Sequence, residues 1–125
     1  MLDLIVTNRF AITAVVLFGI GLLNVMVQKN LIKKVVGFNI MDSAVFLMLA
    51  ATGYIQGKVA PIVEHGATDP SLYINPIPSG LVLTGIVVSV SITAFSLALI
   101  LRIYDHYGTV SLRELLERME KEEEQ

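Results

Sequence analysis

The chain has 125 residues, of which 54% are hydrophobic and only 16% are charged, where soluble domains carry about 25% charged residues. Nine basic and eleven acidic side chains leave a net charge of −2, without the basic field that nucleic-acid binding requires. The absence of cysteine excludes disulfides, thiolate metal sites, covalent haem attachment and iron–sulfur ligation by this chain.

Three stretches are too apolar for water. Residues 10–28 carry no charge, residues 35–57 carry only Asp42, and residues 70–101 carry none. At a rise of ~1.5 Å per residue, each is long enough to cross a hydrocarbon core of ~30 Å. The pattern predicts an all-α integral membrane protein with three transmembrane helices, spanning about 8–28, 34–56 and 78–102 within a membrane domain of residues 1–107. The first span is read as a retained helix rather than a signal peptide. Asp3 and a single basic residue, Arg9, precede it, and no small-x-small cleavage pattern closes it.

The turn at residues 28–34 carries Lys29, Lys33 and Lys34 and no acid, whereas residues 56–75 set Lys58 against Glu64 and Asp69. Basic residues in short loops stay cytoplasmic. The expected topology therefore has the N-terminus and second loop outside, with the lysine turn and the C-terminus inside. Gly53, Gly57, Pro61, Gly66, Pro70, Pro76 and Pro78 disfavour a continuous helix through the second loop. The third helix is expected from Pro78 or Ser79 to the polar run at residues 102–109. Ser111 followed by Glu114 has the capping-box spacing. Leu112, Leu115, Leu116 and Met119 then recur at helical intervals, so residues 108–125 read as a short amphipathic cytoplasmic helix with a solvated acidic tail.

Asn39, Asp42 and Ser43 stand at i, i+3 and i+4, placing an amide, a carboxyl and a hydroxyl on one face of the second helix. A charge near the bilayer centre costs ~2.5–3.5 kcal/mol on insertion scales, so an intramembrane carboxylate is by default a functional residue. Ser89, Thr93 and Ser96 form a stripe on the third helix. Its plain reading is packing, since Ser and Thr in membrane helices commonly bond the i−4 carbonyl or allow close approach. Gly19, Gly21, Gly37, Gly53, Gly80 and Gly85 are candidate helix-contact points. His65 and His106 have no partners at metal-ligand spacing, and no nucleotide loop or nucleophile signature is present. The chain alone is expected to have no catalytic site, metal or cofactor.

The segment Phe18-Gly19-Ile20-Gly21-Leu22, the turn Gln28-Lys29-Asn30-Leu31-Ile32-Lys33-Lys34-Val35-Val36-Gly37 and the run Asn75-Pro76-Ile77-Pro78-Ser79-Gly80-Leu81-Val82-Leu83-Thr84-Gly85-Ile86-Val87-Val88 closely resemble the C subunits of Mrp-type Na⁺/H⁺ antiporters. That family is similar to the NuoK subunit of respiratory complex I. The resemblance covers about residues 10–107 and implies three helices with the N-terminus outside. NuoK-type chains carry glutamates in their second and third helices at places held here by Asn39 and Thr93, and antiporter C subunits lack an acid at the place of Asp42. Homologous small subunits also occur in membrane-bound hydrogenases and related redox complexes, and the substitutions favour such a redox-linked module over a stand-alone antiporter.

The resemblance implies a noncatalytic subunit of a large hetero-oligomer of antiporter-like subunits in the prokaryotic plasma membrane, helping to form a Na⁺ or H⁺ path. On this reading Asp42 is a titratable or Na⁺-binding carboxylate, with Asn39 and Ser43 as neutral oxygen donors and Thr93 also on the path. Lys33 and Lys34 either polarise the cytoplasmic mouth or serve as headgroup anchors. One alternative is a structural connector, in which Asp42 pairs with a partner's cation and no ion passes. Another is a small homo-oligomeric exporter, though such proteins have four spans with the acid in the first. The topology has a direct test. A cysteine at position 64 should react with an impermeant thiol reagent added to intact cells, and one at position 33 should not; reversed labelling overturns the orientation.

Overall fold

A computed structural model describes residues 1–54, 57–60, 62–63, 66, 68–74 and 76–125; Glu64 and His65 lie outside them. The described chain is helical: α1 (Leu2–Thr7), α2 (Arg9–Val27), α3 (Leu31–Gly53), α4 (Ile77–Tyr107) and α5 (Leu112–Glu123). Three of these, α2, α3 and α4, are long and apolar enough to cross a membrane. α1 leads almost continuously into α2. Asn8 departs only slightly from helical geometry, donating to the Leu4 carbonyl and accepting from the Ile12 N–H.

The helices overrun the apolar spans for identifiable reasons. α3 starts at Leu31 rather than at 34 because the Asn30 side chain accepts from the Ile32 N–H at 2.9 Å, a cap that opens the helix before the lysines. Asp42 stands about halfway along α3, ~17 Å of helix rise from Leu31. α4 does not stop at Arg102. The polar run continues as helix to Tyr107, and Gly108 ends it in the left-handed region at φ 72°, its N–H reaching back to the Tyr104 carbonyl.

α3 is the central helix, packed against α2 on one side and α4 on the other. Its contact with α2 is made backbone to backbone. A Cβ on Gly21 would lie 2.8 Å from both the Gly37 carbonyl oxygen and the Met41 nitrogen, and a Cβ on Gly37 would lie 3.0 Å from the Gly21 carbonyl. Polar groups close the end of this seam at the lysine turn: Asn24 Nδ2 donates to the Lys33 carbonyl at 2.7 Å, and Lys34 Nζ donates to the Val25 carbonyl at 2.6 Å. On the other side, Gly85 of α4 faces the ring of Phe46. Gly19 and Gly80, also expected at contacts, have open space around them. Apolar side chains are therefore displayed outward, and α4 buries only Ile100; such a surface is matched to lipid or to neighbouring membrane helices.

In the second loop, Asp69 caps the 3₁₀ turn Pro70–Leu72 and accepts from both the Ser71 N–H and its hydroxyl. These two bonds, with a lesser contribution from Lys58, hold its carboxyl below the ordinary value against a small opposing desolvation. Val59 pairs with Tyr73 in a single parallel bridge, which ties the loop to itself. At the opposite end, Asn30 and Ser111 form an antiparallel bridge. Leu31 N–H donates to Val110 O at 3.0 Å and Leu112 N–H to Lys29 O at 2.8 Å, fastening the start of α5 to the lysine turn. The expected capping box is not made. The Ser111 side chain makes no cap bond; Thr109, which is buried, donates to Glu114 Oε2 and accepts from the Ser111 N–H instead. Arg118 donates to the Tyr107 carbonyl and wraps the far side of the same corner.

The glycine contacts separate by substitution. Gly21→Ala should destabilise the folded chain by roughly 1–3 kcal/mol, the usual cost of overpacking a tight contact, while Gly19→Ala should be neutral or slightly stabilising. The amount of protein surviving graded heating in detergent, measured by size-exclusion chromatography, checks this; equal survival of the two variants would refute the backbone-contact assignment.

Candidate functional site

The polar groups of α3 and α4 meet. Asn39 and Asp42 lie one turn apart on α3, and Ser89 and Thr93 one turn apart on α4. Because the helices run antiparallel, Asn39 pairs with Thr93, Asp42 with Ser89 and Phe46 with Gly85, each pair about one turn from the next. Thr93 Oγ1 donates to Asn39 Oδ1 at 2.7 Å, and Ser89 Oγ donates to Asp42 Oδ2 at 2.6 Å; both bonds are part-buried. Two rungs of side-chain hydrogen bonds thus cross the seam in the middle of the helices.

The local sequence explains the arrangement. Phe46 over the bare Cα of Gly85 brings the two backbones close at one end of the ladder. The small Ser89 and Thr93 keep them close through the next two turns, so short hydroxyls span the gap. Each rung uses one acceptor of its α3 residue. A carboxylate offers two oxygens and about four lone-pair sites, so Asp42 retains capacity beyond the single Ser89 bond, as do the amide hydrogens of Asn39. This is an oxygen-rich environment of the kind hard cations and protons exchange in.

Not every residue expected in the constellation joins it. Ser43 is exposed, and its hydroxyl donates to the Asn39 carbonyl one turn back, the ordinary i−4 bond of a membrane helix. Lys34 is committed to the Val25 carbonyl. Lys33 is exposed at the α2–α3 turn, with its carbonyl taken by Asn24. Both lysines sit near the start of α3, more than two turns from Asp42. Conversely, Ser89, read from sequence only as part of a packing stripe, is in direct contact with the carboxylate. Its i, i+4 spacing to Thr93 is visible in the sequence, but which residues of α3 it faces depends on the α3–α4 register. Among the described residues no group of three or more His, Asp or Glu side chains could hold a metal ion.

These features define a three-helix, multi-pass membrane protein whose acid-bearing helix is hydrogen-bonded to its neighbour. The family of NADH-ubiquinone/plastoquinone oxidoreductase chain 4L matches residues 9–118, and the chain belongs to it. The C1 subunit of a Na⁺/H⁺ antiporter from Staphylococcus saprophyticus is 34% identical over 113 residues, covering 86% of this chain and 96% of the relative. The C subunit of the Na⁺/H⁺ antiporter from Alkalihalophilus pseudofirmus is 34% identical over 105 residues, covering 84% and 90%. Among solved structures, a chain of the membrane-bound sulfane sulfur reductase, an archaeal respiratory membrane complex, superimposes with a TM-score of 0.77 at 43% identity, covering 84% of this chain and 94% of that one. A chain of the Mrp complex from Dietzia sp. DQ12-45-1b does so with a TM-score of 0.64 at 32% identity, covering 73% and 68%.

The Asn39–Thr93 rung can be weighed directly. Interhelical side-chain hydrogen bonds in membranes average ~0.6 kcal/mol with a maximum of ~1.7 kcal/mol. A double-mutant cycle of Asn39→Leu and Thr93→Val, followed by unfolding in detergent, should return a coupling in that range. A coupling of zero would mean that the rung is not formed in the folded protein.

Proposed function

We propose that the chain is a noncatalytic membrane subunit of a multisubunit Mrp-type cation/proton antiporter module, helping to form a Na⁺ or H⁺ path with larger neighbours. Support for the module comes from relatives named as Na⁺/H⁺ antiporter subunits and from likeness to chains of two multisubunit membrane complexes. The 43% identity to a chain of a respiratory sulfur reductase complex favours a redox-linked assembly. The single observation behind the ion path is Asp42, a carboxylate halfway along a membrane helix, held by a hydroxyl and accompanied by an amide. Asn39 and Thr93 line the path beside it. Lys33, Lys34 and Ser43 are less central: the lysines act at the cytoplasmic mouth and Ser43 at the edge of the polar seam. The module resides in the cell membrane, with α5 and the lysine turn on the cytoplasmic side and α1 outside. The bridge between Asn30 and Ser111 supports placing the turn and α5 on one side, and the positive-inside rule makes that side the cytoplasm.

A connector role is favoured by a different observation, the apolar outer face of α4, which offers Leu83, Val87 and Val90 to a neighbouring helix. Both roles can coexist, and one substitution decides whether ions are involved. Asp42→Asn keeps an oxygen acceptor for the Ser89 hydroxyl and nearly the same volume while removing the exchangeable charge. In vesicles carrying the whole complex, assembly on native gels should be unchanged, and Na⁺- or redox-driven proton movement, followed with a pH-sensitive dye, should fall to a small fraction of wild type. Undiminished transport would leave the connector role alone.

A further inference from the structure

We propose that Ser89 is the positioning residue for Asp42: its hydroxyl holds the carboxylate in place within the α3–α4 seam, and so sets how freely this acid can react. The inference rests on the ion-path reading and adds a residue whose role, read from sequence, is packing alone.

Three observations carry it. First, the Ser89–Asp42 bond is short, 2.6 Å, and joins two helices across 47 positions of sequence. A hydroxyl donating to a carboxylate is a charge-assisted bond in the 2.5–2.7 Å class, stronger than its neutral counterparts. Second, Ser89 stands apart from the other hydroxyls of α4. Thr84 and Ser91 turn back to the carbonyls of Gly80 and Val87 in their own helix, as membrane hydroxyls ordinarily do. Ser89 gives its proton to the acid instead, and Thr93 does the same for the amide of Asn39. Third, no competing charge stands at this depth. Residues 10–28, which include nearly all of α2, and residues 77–101 of α4 contain no titratable side chain, and the other titratable residues of α3 are Lys33 and Lys34 near its start. Lys34 is bound to the Val25 carbonyl. Within the described seam the Ser89 hydroxyl is thus the group that orients the Asp42 carboxylate.

A hydrogen-bond donor set at the acid by the neighbouring helix also makes the position of the carboxylate dependent on the α3–α4 contact at Gly85.

The test uses a reaction that does not depend on which ion is carried. Hydrophobic carbodiimides react with membrane carboxyl groups, and an oxygen held by a hydrogen bond must first be released before it can attack the reagent. In the purified complex at one fixed alkaline pH, the rate at which dicyclohexylcarbodiimide labels Asp42 is followed by mass spectrometry of the chain. Ser89→Ala should be labelled several-fold faster than wild type, and Ser89→Thr, which restores the hydroxyl, should return the rate towards wild type. Asp42→Asn provides the unlabelled control, and native gels confirm equal assembly of the variants. Equal labelling of wild type and Ser89→Ala overturns the proposal even where Asp42→Asn abolishes transport. Faster labelling with normal transport in Asp42→Asn would keep the Ser89 role and overturn the ion path. If Ser89→Ala does not assemble, Ser89→Cys takes its place, its weak S–H donor giving an intermediate rate; a rate equal to wild type again refutes the proposal.

Discussion

The close approach of α4 to α3 at Gly85, under the ring of Phe46, is the contact on which the polar centre depends. Serine and threonine hydroxyls are short, so they can cross between helices only where the backbones are drawn together. With that contact in place, the antiparallel register brings Ser89 to Asp42 and Thr93 to Asn39 without any further element. A larger residue at position 85 would separate the helices and return both hydroxyls to their own backbone, leaving a carboxylate and an amide without donors in an apolar surrounding. The energetic stake is asymmetric. Each bond contributes modestly when made, whereas an unpaired buried polar group costs its full desolvation.

The two sides of α3 are built differently, and the difference separates scaffold from site. Towards α2 the contact is backbone on backbone at Gly21 and Gly37, reinforced by Asn24 and Lys34 bonding main-chain carbonyls at the turn. That side has no slack, since a single methyl group at Gly21 would meet main-chain atoms. Towards α4 the contact is a ring against a glycine and two side-chain bonds, all of which can rearrange by rotamer changes. The α5 corner extends the rigid half: it is bridged to the lysine turn and closed by Gly108, Thr109 and Arg118.

Asn39 and Thr93 bond to each other across the α3–α4 seam, and one turn along α3 the carboxylate of Asp42 bonds to Ser89 in the same seam.

The sequence alone determined three membrane helices, a lysine-rich turn between the first two, an amphipathic C-terminal helix and an isolated intramembrane acid, because hydrophobic length, charge segregation and helical periodicity are local properties. It also pointed to the family through contiguous motifs. Helix ends were less legible. The cap at Asn30 and the run of α4 through Arg102 to Gly108 turn on single side-chain and backbone bonds that composition does not register. The capping box failed for a related reason, since Thr109 competes for Glu114 and for the Ser111 N–H. Only the tertiary structure decided that Ser43 faces away while Ser89 meets Asp42, and that Gly21, Gly37 and Gly85, but not Gly19 or Gly80, carry the packing. Helical periodicity says which residues share a face. Which face meets which neighbour, and in what register, is fixed by contacts between segments more than forty residues apart, and these have no signature in the local sequence.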